Sequence, residues 1–147
     1  MTRARQAFKD LEFIPSILHK VADAKLERAS LGYTFNMPVG IAPTGFTRMM
    51  QTGGEIAGTR AAEKFGIPFC LSTLGTTTIE DVVAAAPTGT SWFQLYMWKD
   101  REGSIALVER AQWAGIENLI LTVNVPVARQ RLREYRNGCE KTGKALS

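Results

Sequence analysis

Four short apolar runs recur along the chain, and helical patterns separate them. The runs are residues 39–42, 69–72, 92–96 and 119–123. Successive runs begin roughly 23 to 30 residues apart, which is the spacing expected when one helix connects each pair of parallel strands. The pattern therefore predicts a β-α-β-α-β-α-β order between residues 39 and 124, with right-handed crossovers.

The three segments between these runs carry the start and stop signals of helices. The first predicted helix spans residues 54–65. The second follows Thr77, which stands three residues before Glu80 as in a capping box. The third follows Asp100, a good N-cap residue, and ends at Gly115. Helical spacing predicts the buried faces of the last two helices, which are Ile79, Val82, Val83 and Ala86 in one and Leu107, Val108, Ala111 and Ala114 in the other.

The segments on either side of residues 39–124 lack a regular pattern. Residues 1–38 predict an irregular lead-in of short extended pieces, with a turn at Gly32 and a weak helix near residues 21–28, and residues 125–147 predict a basic loop. No linker or low-complexity segment divides the sequence. We therefore expect a single partial domain over residues 1–147.

A parallel sheet of four strands fits either a small doubly wound domain or part of an eight-stranded barrel. Two observations favour the barrel. Polar residues stand at the carboxyl end of every predicted strand, where a barrel places its active site. These residues are Thr44, Ser72, Gln94 with Tyr96, and Thr122 with Asn124. There is neither a GxGxxG turn after the first strand nor a Walker A loop. The sequence therefore predicts an α/β fold of the TIM (β/α)8 barrel type, with this chain covering about the first four βα units.

The composition predicts a cytoplasmic globular protein. Of 147 residues, 45% are hydrophobic, which is enough for a core. The apolar runs are much shorter than the roughly 20 residues of a membrane-spanning helix, and no apolar signal-peptide core follows the N-terminus. Cys70 and Cys139 fit neither a disulfide framework nor a metal-ligand spacing, and Cys70 lies in an apolar run typical of a core.

The net charge of +4 is unevenly distributed, because basic residues are concentrated near the C-terminal end of the chain. They are Arg129, Arg131, Arg133, Arg136, Lys141 and Lys144. Neither interleaved aromatic residues nor a known reader motif accompanies them, so we predict no nucleic-acid binding. A solvated loop in which one arginine contacts an anionic ligand is the favoured interpretation.

Seven short motifs occur in the order and at the spacing of a known family. They are IAPTG at 41–45, GEIA at 54–57, GIP at 66–68, LST at 71–73, WFQLY at 92–96, LTV at 121–123 and RNG at 136–138. Together they resemble the FMN-dependent L-2-hydroxy acid oxidases and dehydrogenases over almost the whole chain. Residues 3–8 (RARQAF) and 98–101 (WKDR) are most similar to the bacterial L-lactate dehydrogenases of the quinone-dependent type.

The resemblance implies FMN as the cofactor and oxidation of an L-2-hydroxy acid, with L-lactate to pyruvate as the preferred reaction. The residues that match the family's cofactor contacts are Pro43, Thr44, Gly45, Ser72, Gln94 and Thr122. The first three match a segment against the flavin ring and ribityl chain, where a glycine lets the backbone approach closely. The last three match residues that hydrogen-bond the polar edge of the flavin. Without the resemblance, these last three would be ordinary polar residues at strand ends.

The resemblance also implies three catalytic or substrate-binding positions. Tyr96 matches a tyrosine that hydrogen-bonds the substrate. Arg131 matches the first of two arginines that grip the substrate carboxylate, a task suited to a planar guanidinium. Asn124 occupies a position where the family carries an aspartate bonded to the catalytic histidine. An amide still accepts a hydrogen bond but brings no negative charge, so we expect Asn124 to impair catalysis severely.

Several parts of the family's site have no counterpart in this sequence. They include the histidine base, the second arginine, a lysine beside the flavin and the phosphate-binding loops of the late strands. We therefore expect a partial, N-terminal half barrel that is inactive by itself. For the full-length protein, the resemblance implies a small 2-hydroxy acid as substrate, a quinone as electron acceptor, contact with the inner face of the membrane and a homo-oligomer.

Two further functions stay open at this point. A half barrel with Asn124 could be a non-catalytic module that pairs with a second copy and binds flavin or phosphate. The chain could also be a decayed fragment without a function of its own. Another FMN barrel, such as a dihydroorotate-type dehydrogenase, is disfavoured because the motifs at 92–96 and 136–138 would then be coincidences.

Overall fold

The structure is a computed structural model that describes residues 2–19 and 22–124. Its helices are α1 (Thr2–Lys9), α2 (Gly54–Phe65), α3 (Ile79–Ala85) and α4 (Arg101–Trp113), with a short 3-10 helix at Thr47–Met49. Its strands are β1 (Arg28–Ser30), β2 (Tyr33–Phe35), β3 (Phe69–Ser72), β4 (Ser91–Tyr96) and β5 (Asn118–Thr122). In the part of the chain that the structure describes, no helix is long and apolar enough to cross a membrane.

The parallel sheet has the strand order of a barrel. β3 pairs with β4 and β4 pairs with β5, both in parallel. On the other side of β3, Ile41 makes a parallel bridge to Phe69. Between residues 41 and 122, the order across the sheet therefore follows the order along the chain. A doubly wound sheet instead reverses its order at a switch point, so this arrangement fits successive strands of a barrel.

One face of the sheet packs against the helices. Side chains alternate along a strand, and the odd-numbered residues of β3 and β4 point to this face. The buried core there consists of Phe69, Leu71, Phe93 and Leu95 from the sheet, with Ala62, Ile79, Val82 and Ala111 from α2, α3 and α4. Burial of these side chains supplies the main stabilisation of the sheet. The core also fixes the direction in which the remaining strand residues point.

The opposite face, which we call the inner face, carries the alternate residues of the three strands. They are Cys70, Ser72, Trp92, Gln94, Tyr96, Ile120 and Thr122. The β1–β2 hairpin covers the end of this face where the strands begin. There, Phe35 contacts Trp92 edge-to-face with ring centroids 6.0 Å apart, and the Tyr33 hydroxyl donates to Glu117 over 2.6 Å. The carboxyl ends of the strands lie at the other end of the inner face.

Most predicted elements of the repeat region are confirmed. The strand at 69–72 and the helix at 54–65 have the predicted bounds, and the two later strands each begin one residue earlier than predicted. The strand predicted at residues 39–42 is wrong, because Ile41 alone bridges to β3. Flanking prolines explain this difference, since Pro38 and Pro43 have no backbone N–H to donate to a ladder.

The prediction of an irregular lead-in is wrong for residues 2–9, which form α1, but the predicted short extended pieces are confirmed at residues 28–35, which form the β1–β2 hairpin. The predicted weak helix near residues 21–28 is also wrong, because residues 22–27 contain no helix and Arg28 belongs to β1. Each hairpin strand has only three residues, too few for a visible alternation. The turn uses Leu31 and Gly32 with φ of 51° and 83°, and a leucine is a rare residue in that conformation.

The helix ends are partly as predicted. The side chain of Asp100 caps α4 by accepting from the Gly103 N–H over 3.0 Å, which confirms the predicted N-cap. The N-cap of α3 is Thr78 and not Thr77, because the Thr78 hydroxyl accepts from the Asp81 N–H over 3.2 Å. The capping box predicted one residue earlier is therefore wrong, and Thr77 has another role.

Candidate functional site

Three polar side chains stand side by side at the carboxyl ends of β3, β4 and β5. Ser72 and Gln94 are buried, and Thr122 is partly exposed. The Ser72 hydroxyl donates to Gln94 Oε1 over 3.2 Å, and Gln94 Nε2 donates to Thr122 Oγ1 over 2.9 Å. The structure thus joins the three residues predicted to contact the flavin's polar edge. We call Ser72, Gln94 and Thr122 the strand-end strip.

The strand-end strip has a fixed orientation. The Thr73 N–H also donates to Gln94 Oε1, over 3.3 Å, so that both partners of the amide oxygen lie towards β3. One hydrogen of Gln94 Nε2 goes to Thr122. The other hydrogen, and the hydroxyl hydrogen of Thr122, have no acceptor among the described residues. The free groups of the strip are therefore donors, which fit the carbonyl oxygens on the pyrimidine edge of a flavin.

The segment that carries Pro43, Thr44 and Gly45 lies against the loop that follows β3. The Phe46 N–H donates to Leu74 O over 3.0 Å, and Phe46 adopts a left-handed backbone conformation with φ of 58°. A Cβ on Gly45 would lie 2.9 Å from Leu74 Cβ, which is closer than such atoms approach. Close packing on Leu74 therefore requires a glycine at position 45, apart from any flavin. Pro43 and Thr44 are exposed beside this contact.

A buried carboxylate, missed in the sequence, lies behind these two segments. Glu55 is in the first turn of α2 and is only 2% exposed. It accepts from the Thr76 N–H over 2.7 Å, from the Thr76 hydroxyl over 2.8 Å and from the Thr77 hydroxyl over 2.7 Å. This contact explains the role of Thr77. Glu55 therefore ties α2 to the loop between β3 and α3.

Glu55 is charged at neutral pH despite its burial. Loss of water around the carboxylate raises its pKa, but the hydrogen bonds from the Thr76 N–H and the Thr76 and Thr77 hydroxyls favour the charged form. Together, these donors lower the pKa of Glu55 from 4.5 to about 2. No described cation lies within ion-pair distance of Glu55. Among the described residues, hydrogen bonds therefore stabilise the charged Glu55 carboxylate without a salt bridge.

The three predicted catalytic positions have different placements. Tyr96 ends β4, is paired in register with Thr122 and is partly exposed on the inner face. Its hydroxyl has no hydrogen-bond partner among the described residues. Asn124 is exposed, two residues beyond the end of β5. Arg131 lies outside the described residues, and its predicted contact with a carboxylate stays a prediction. The structure thus brings Tyr96 to the strand-end strip.

Cys70 lies on the inner face but is not chemically prepared as a nucleophile. Its side chain is buried, which raises the pKa of the thiol to about 11. A thiol with such a pKa is protonated at neutral pH, and the thiolate is the reactive form. The residue acts as a small core side chain, as predicted from its apolar surroundings. Within residues 2–19 and 22–124, no group of three His, Cys, Asp or Glu side chains could hold a metal ion.

Known proteins match the chain over nearly its full length. A model of the FMN-dependent dehydrogenase family matches residues 1–146. A Mycobacterium tuberculosis protein assigned as an L-lactate dehydrogenase is 56% identical over 138 residues, which are 94% of this chain and 33% of that protein. An L-lactate dehydrogenase of Stenotrophomonas maltophilia is 42% identical, over 88% of this chain and 34% of that protein. The chain thus spans about a third of the length of these curated relatives.

Solved structures give the same result for the fold. A mandelate oxidase variant with a C4a-OH-FMN adduct superposes with a TM-score of 0.87 at 35% identity, over 93% of this chain and 41% of that protein. The same mandelate oxidase variant with (S)-mandelic acid superposes with a TM-score of 0.85 at 36% identity, over 91% of this chain and 39% of that protein. These similarities identify the fold as part of a TIM barrel, as predicted.

Proposed function

The chain belongs to the FMN-dependent dehydrogenase family, and on that premise we propose that it supplies the flavin-edge part of an enzyme that oxidises an L-2-hydroxy acid. L-lactate is the preferred substrate, because two relatives assigned as L-lactate dehydrogenases match the chain at 56% and 42% identity. The family's cofactor is FMN. When bound, FMN accepts the hydride that leaves the α-carbon of the hydroxy acid.

The strand-end strip is the observation that carries this proposal. Its three residues come from adjacent strands and lie at the end where barrels build active sites. The chain of hydrogen bonds holds the Gln94 amide in one orientation before any ligand arrives. A site prepared in this way loses little conformational freedom on binding. The free donors at its β5 end would then hold the carbonyl oxygens of the flavin ring.

Tyr96 would act on the substrate from the same end of β4. Its hydroxyl is free among the described residues, and its backbone N–H is fixed by the Thr73 hydroxyl at 3.0 Å. A phenol held there donates to the oxygen on the reacting carbon. Arg131 would hold the substrate carboxylate through two parallel hydrogen bonds. Asn124 would accept a hydrogen bond where an aspartate would also supply negative charge.

Flavin titration of the purified 147-residue chain tests the proposal. We expect FMN fluorescence to be quenched on binding, and Gln94→Leu to weaken the affinity by about tenfold or more because the central amide is lost. The matched control is Gln112→Leu, which removes an exposed glutamine of α4 and should leave the affinity unchanged. Equal affinities of the two variants, or no binding by the unsubstituted chain, would contradict the proposal.

A non-catalytic half barrel is the second candidate, and Asn124 favours it. An amide does not stabilise a developing imidazolium as an aspartate does. In a serine protease, replacing the aspartate beside the catalytic histidine with asparagine lowers turnover by about 10⁴-fold. A folded, dimeric chain that purifies without bound flavin would support this candidate. The quinone acceptor, the cytoplasmic location and contact with a membrane stay predictions from the family resemblance.

A further inference from the structure

We propose that Glu55 is a positioning residue that holds the two flavin-facing segments of the chain in their mutual arrangement. The segments are residues 43–46 and residues 72–74. Glu55 belongs to neither and lies behind both, so it would act on a ligand only through them. The inference rests on the proposed function, because it concerns the same flavin site.

The first step is the link from Glu55 to the loop that follows β3. The carboxylate accepts three hydrogen bonds from Thr76 and Thr77, with distances of 2.7 to 2.8 Å. Hydrogen bonds to a charged acceptor are stronger than those between neutral groups. The loop cannot move away from α2 without leaving a buried charge unpaired, which is costly. Gly75 leaves space here, since a Cβ would lie 3.0 Å from Ser72 O.

The second step is the link from this loop to residues 43–46. The Thr76 hydroxyl, held by Glu55, accepts from the Arg48 N–H over 3.2 Å. The Phe46 N–H donates to Leu74 O over 3.0 Å. Gly45 packs against the Leu74 side chain at the limit of close approach. The position of the loop therefore determines the position of the segment that, by the family resemblance, would lie against the flavin ring.

The third step is the link from the loop to the strand-end strip. The Leu74 N–H donates to the Ser72 hydroxyl over 3.2 Å. Thr73 donates from its N–H to Gln94 Oε1 over 3.3 Å and from its hydroxyl to Gln94 O over 2.5 Å. A shift of the loop would thus release the Gln94 amide from its fixed orientation. Glu55 is connected to both sets of predicted flavin contacts by hydrogen bonds that are joined through the backbone of residues 74–76.

The FMN affinity of Glu55→Gln tests the inference, with Glu63→Gln as the matched control. Glu63 is on the same helix and accepts from the N–H and hydroxyl of Thr88, at 2.9 and 2.8 Å, but towards the other end of the strands. We expect Glu55→Gln to weaken FMN binding by about tenfold and Glu63→Gln by less than about twofold. Equal weakening by both variants would mean a merely structural role and would overturn the inference.

A second measurement separates this inference from the proposed function. Amide hydrogen exchange of the ligand-free chain reports the links directly, at the N–H groups of Thr76 and Phe46. We expect both to exchange faster in Glu55→Gln and unchanged in Glu63→Gln. If the chain binds no FMN while this difference is present, the proposed function fails and the positioning by Glu55 stands. If the exchange rates do not differ, the inference is overturned whatever the FMN affinity.

Thr76→Val covers the case in which Glu55→Gln does not fold. The substitution keeps the shape of the side chain and the backbone N–H but removes the hydroxyl that joins Glu55 to Arg48. We expect a smaller loss of FMN affinity, with faster exchange of the Arg48 N–H. An unchanged FMN affinity together with an unchanged exchange rate of the Arg48 N–H would contradict the inference.

Discussion

Glu55 and Glu63 show how differently two glutamates of one helix can contribute. Both accept hydrogen bonds from the backbone and hydroxyl of a threonine in a following loop. Glu55 is buried, so its donors replace water that the carboxylate has lost. Glu63 is partly exposed, and water competes with its donors. The same contact therefore stabilises the protein more at position 55.

The pH dependence of stability should reveal the buried carboxylate. The pKa of Glu55 is lowered from 4.5 to about 2, so its stabilisation is present above pH 4.5 and is lost as the pH falls through 2. Such a shift corresponds to about 2 to 3 kcal/mol. We expect the difference in unfolding free energy between the unsubstituted chain and Glu55→Gln to shrink by that amount between pH 6 and pH 2. Urea titrations at several pH values measure it, and a constant difference would contradict the prediction.

The role of Glu55 was not predictable from the sequence, although the residue lies in the GEIA motif at 54–57, and the reason is physical. A glutamate in the first turn of a helix is ordinarily explained by the helix dipole. Its partners lie 21 and 22 residues later, in a loop whose path no local pattern determines. Ser72, Gln94 and Thr122 were predictable because each ends an apolar run, and adjacent parallel strands bring such ends together. The orientation of the Gln94 amide was not predictable, since it depends on three neighbours.

The start of α3 shows how neighbouring threonines divide two roles. Thr78 has an extended backbone, with φ of −66° and ψ of 154°, and its hydroxyl caps the helix. Thr77 instead donates to Glu55. The sequence could not distinguish them, because three consecutive threonines precede Ile79 and the acidic residues Glu80 and Asp81 suit either choice of cap.

A double-mutant cycle separates the two threonines. We expect Thr78→Ala to cost about 1 kcal/mol of unfolding free energy, because a cap is lost, and to add independently to Glu55→Gln. Thr77→Ala should couple to Glu55→Gln by at least about 0.5 kcal/mol, since both remove the same hydrogen bond. Denaturant unfolding of the unsubstituted chain, the three single variants and the two double variants measures both quantities. If Thr78→Ala couples to Glu55→Gln and Thr77→Ala does not, the N-cap of α3 is Thr77 and the prediction is contradicted.

Periodicity predicted the elements that pack on a core and missed those that do not. β3, β4 and their helices bury enough apolar residues to leave a pattern. The β1–β2 hairpin buries Phe35 but exposes most of its other residues, so its pattern is weak. α1 has exposed side chains along residues 3–9. Residues 39–42 read as a strand because they are apolar, although prolines on both sides restrict pairing to Ile41.

The molecule exposes apolar surface where a larger barrel would continue. Leu119 and Leu121 on the helix-facing side of β5 are 48% and 50% exposed. Phe13 and Leu18, in the segment after α1, are fully exposed. β5 is also an edge strand in the described sheet, with backbone groups that can pair with another chain. These features favour pairing with a second copy, the alternative that the sequence left open for a half barrel.

Self-association should therefore depend on the exposed face of β5. We expect the purified chain to sediment as a dimer or larger species at micromolar concentration. Leu121→Lys should raise the dissociation constant by about tenfold or more, because a charge replaces buried apolar contact. The matched control is Phe65→Lys on α2, where the phenylalanine is 54% exposed but far from β5 along the sheet. A monomeric chain, or equal effects of both variants, would contradict the prediction.

Phe46 has a consequence for how this protein could be engineered. A phenylalanine in the left-handed region costs about 1 kcal/mol relative to a glycine, which adopts that conformation freely. The single substitution Phe46→Gly would therefore raise the free energy of unfolding by about this amount. If the aromatic ring at this position contacts a partner or ligand, the more stable variant would bind that partner or ligand less tightly. Stability and activity would then conflict at this turn.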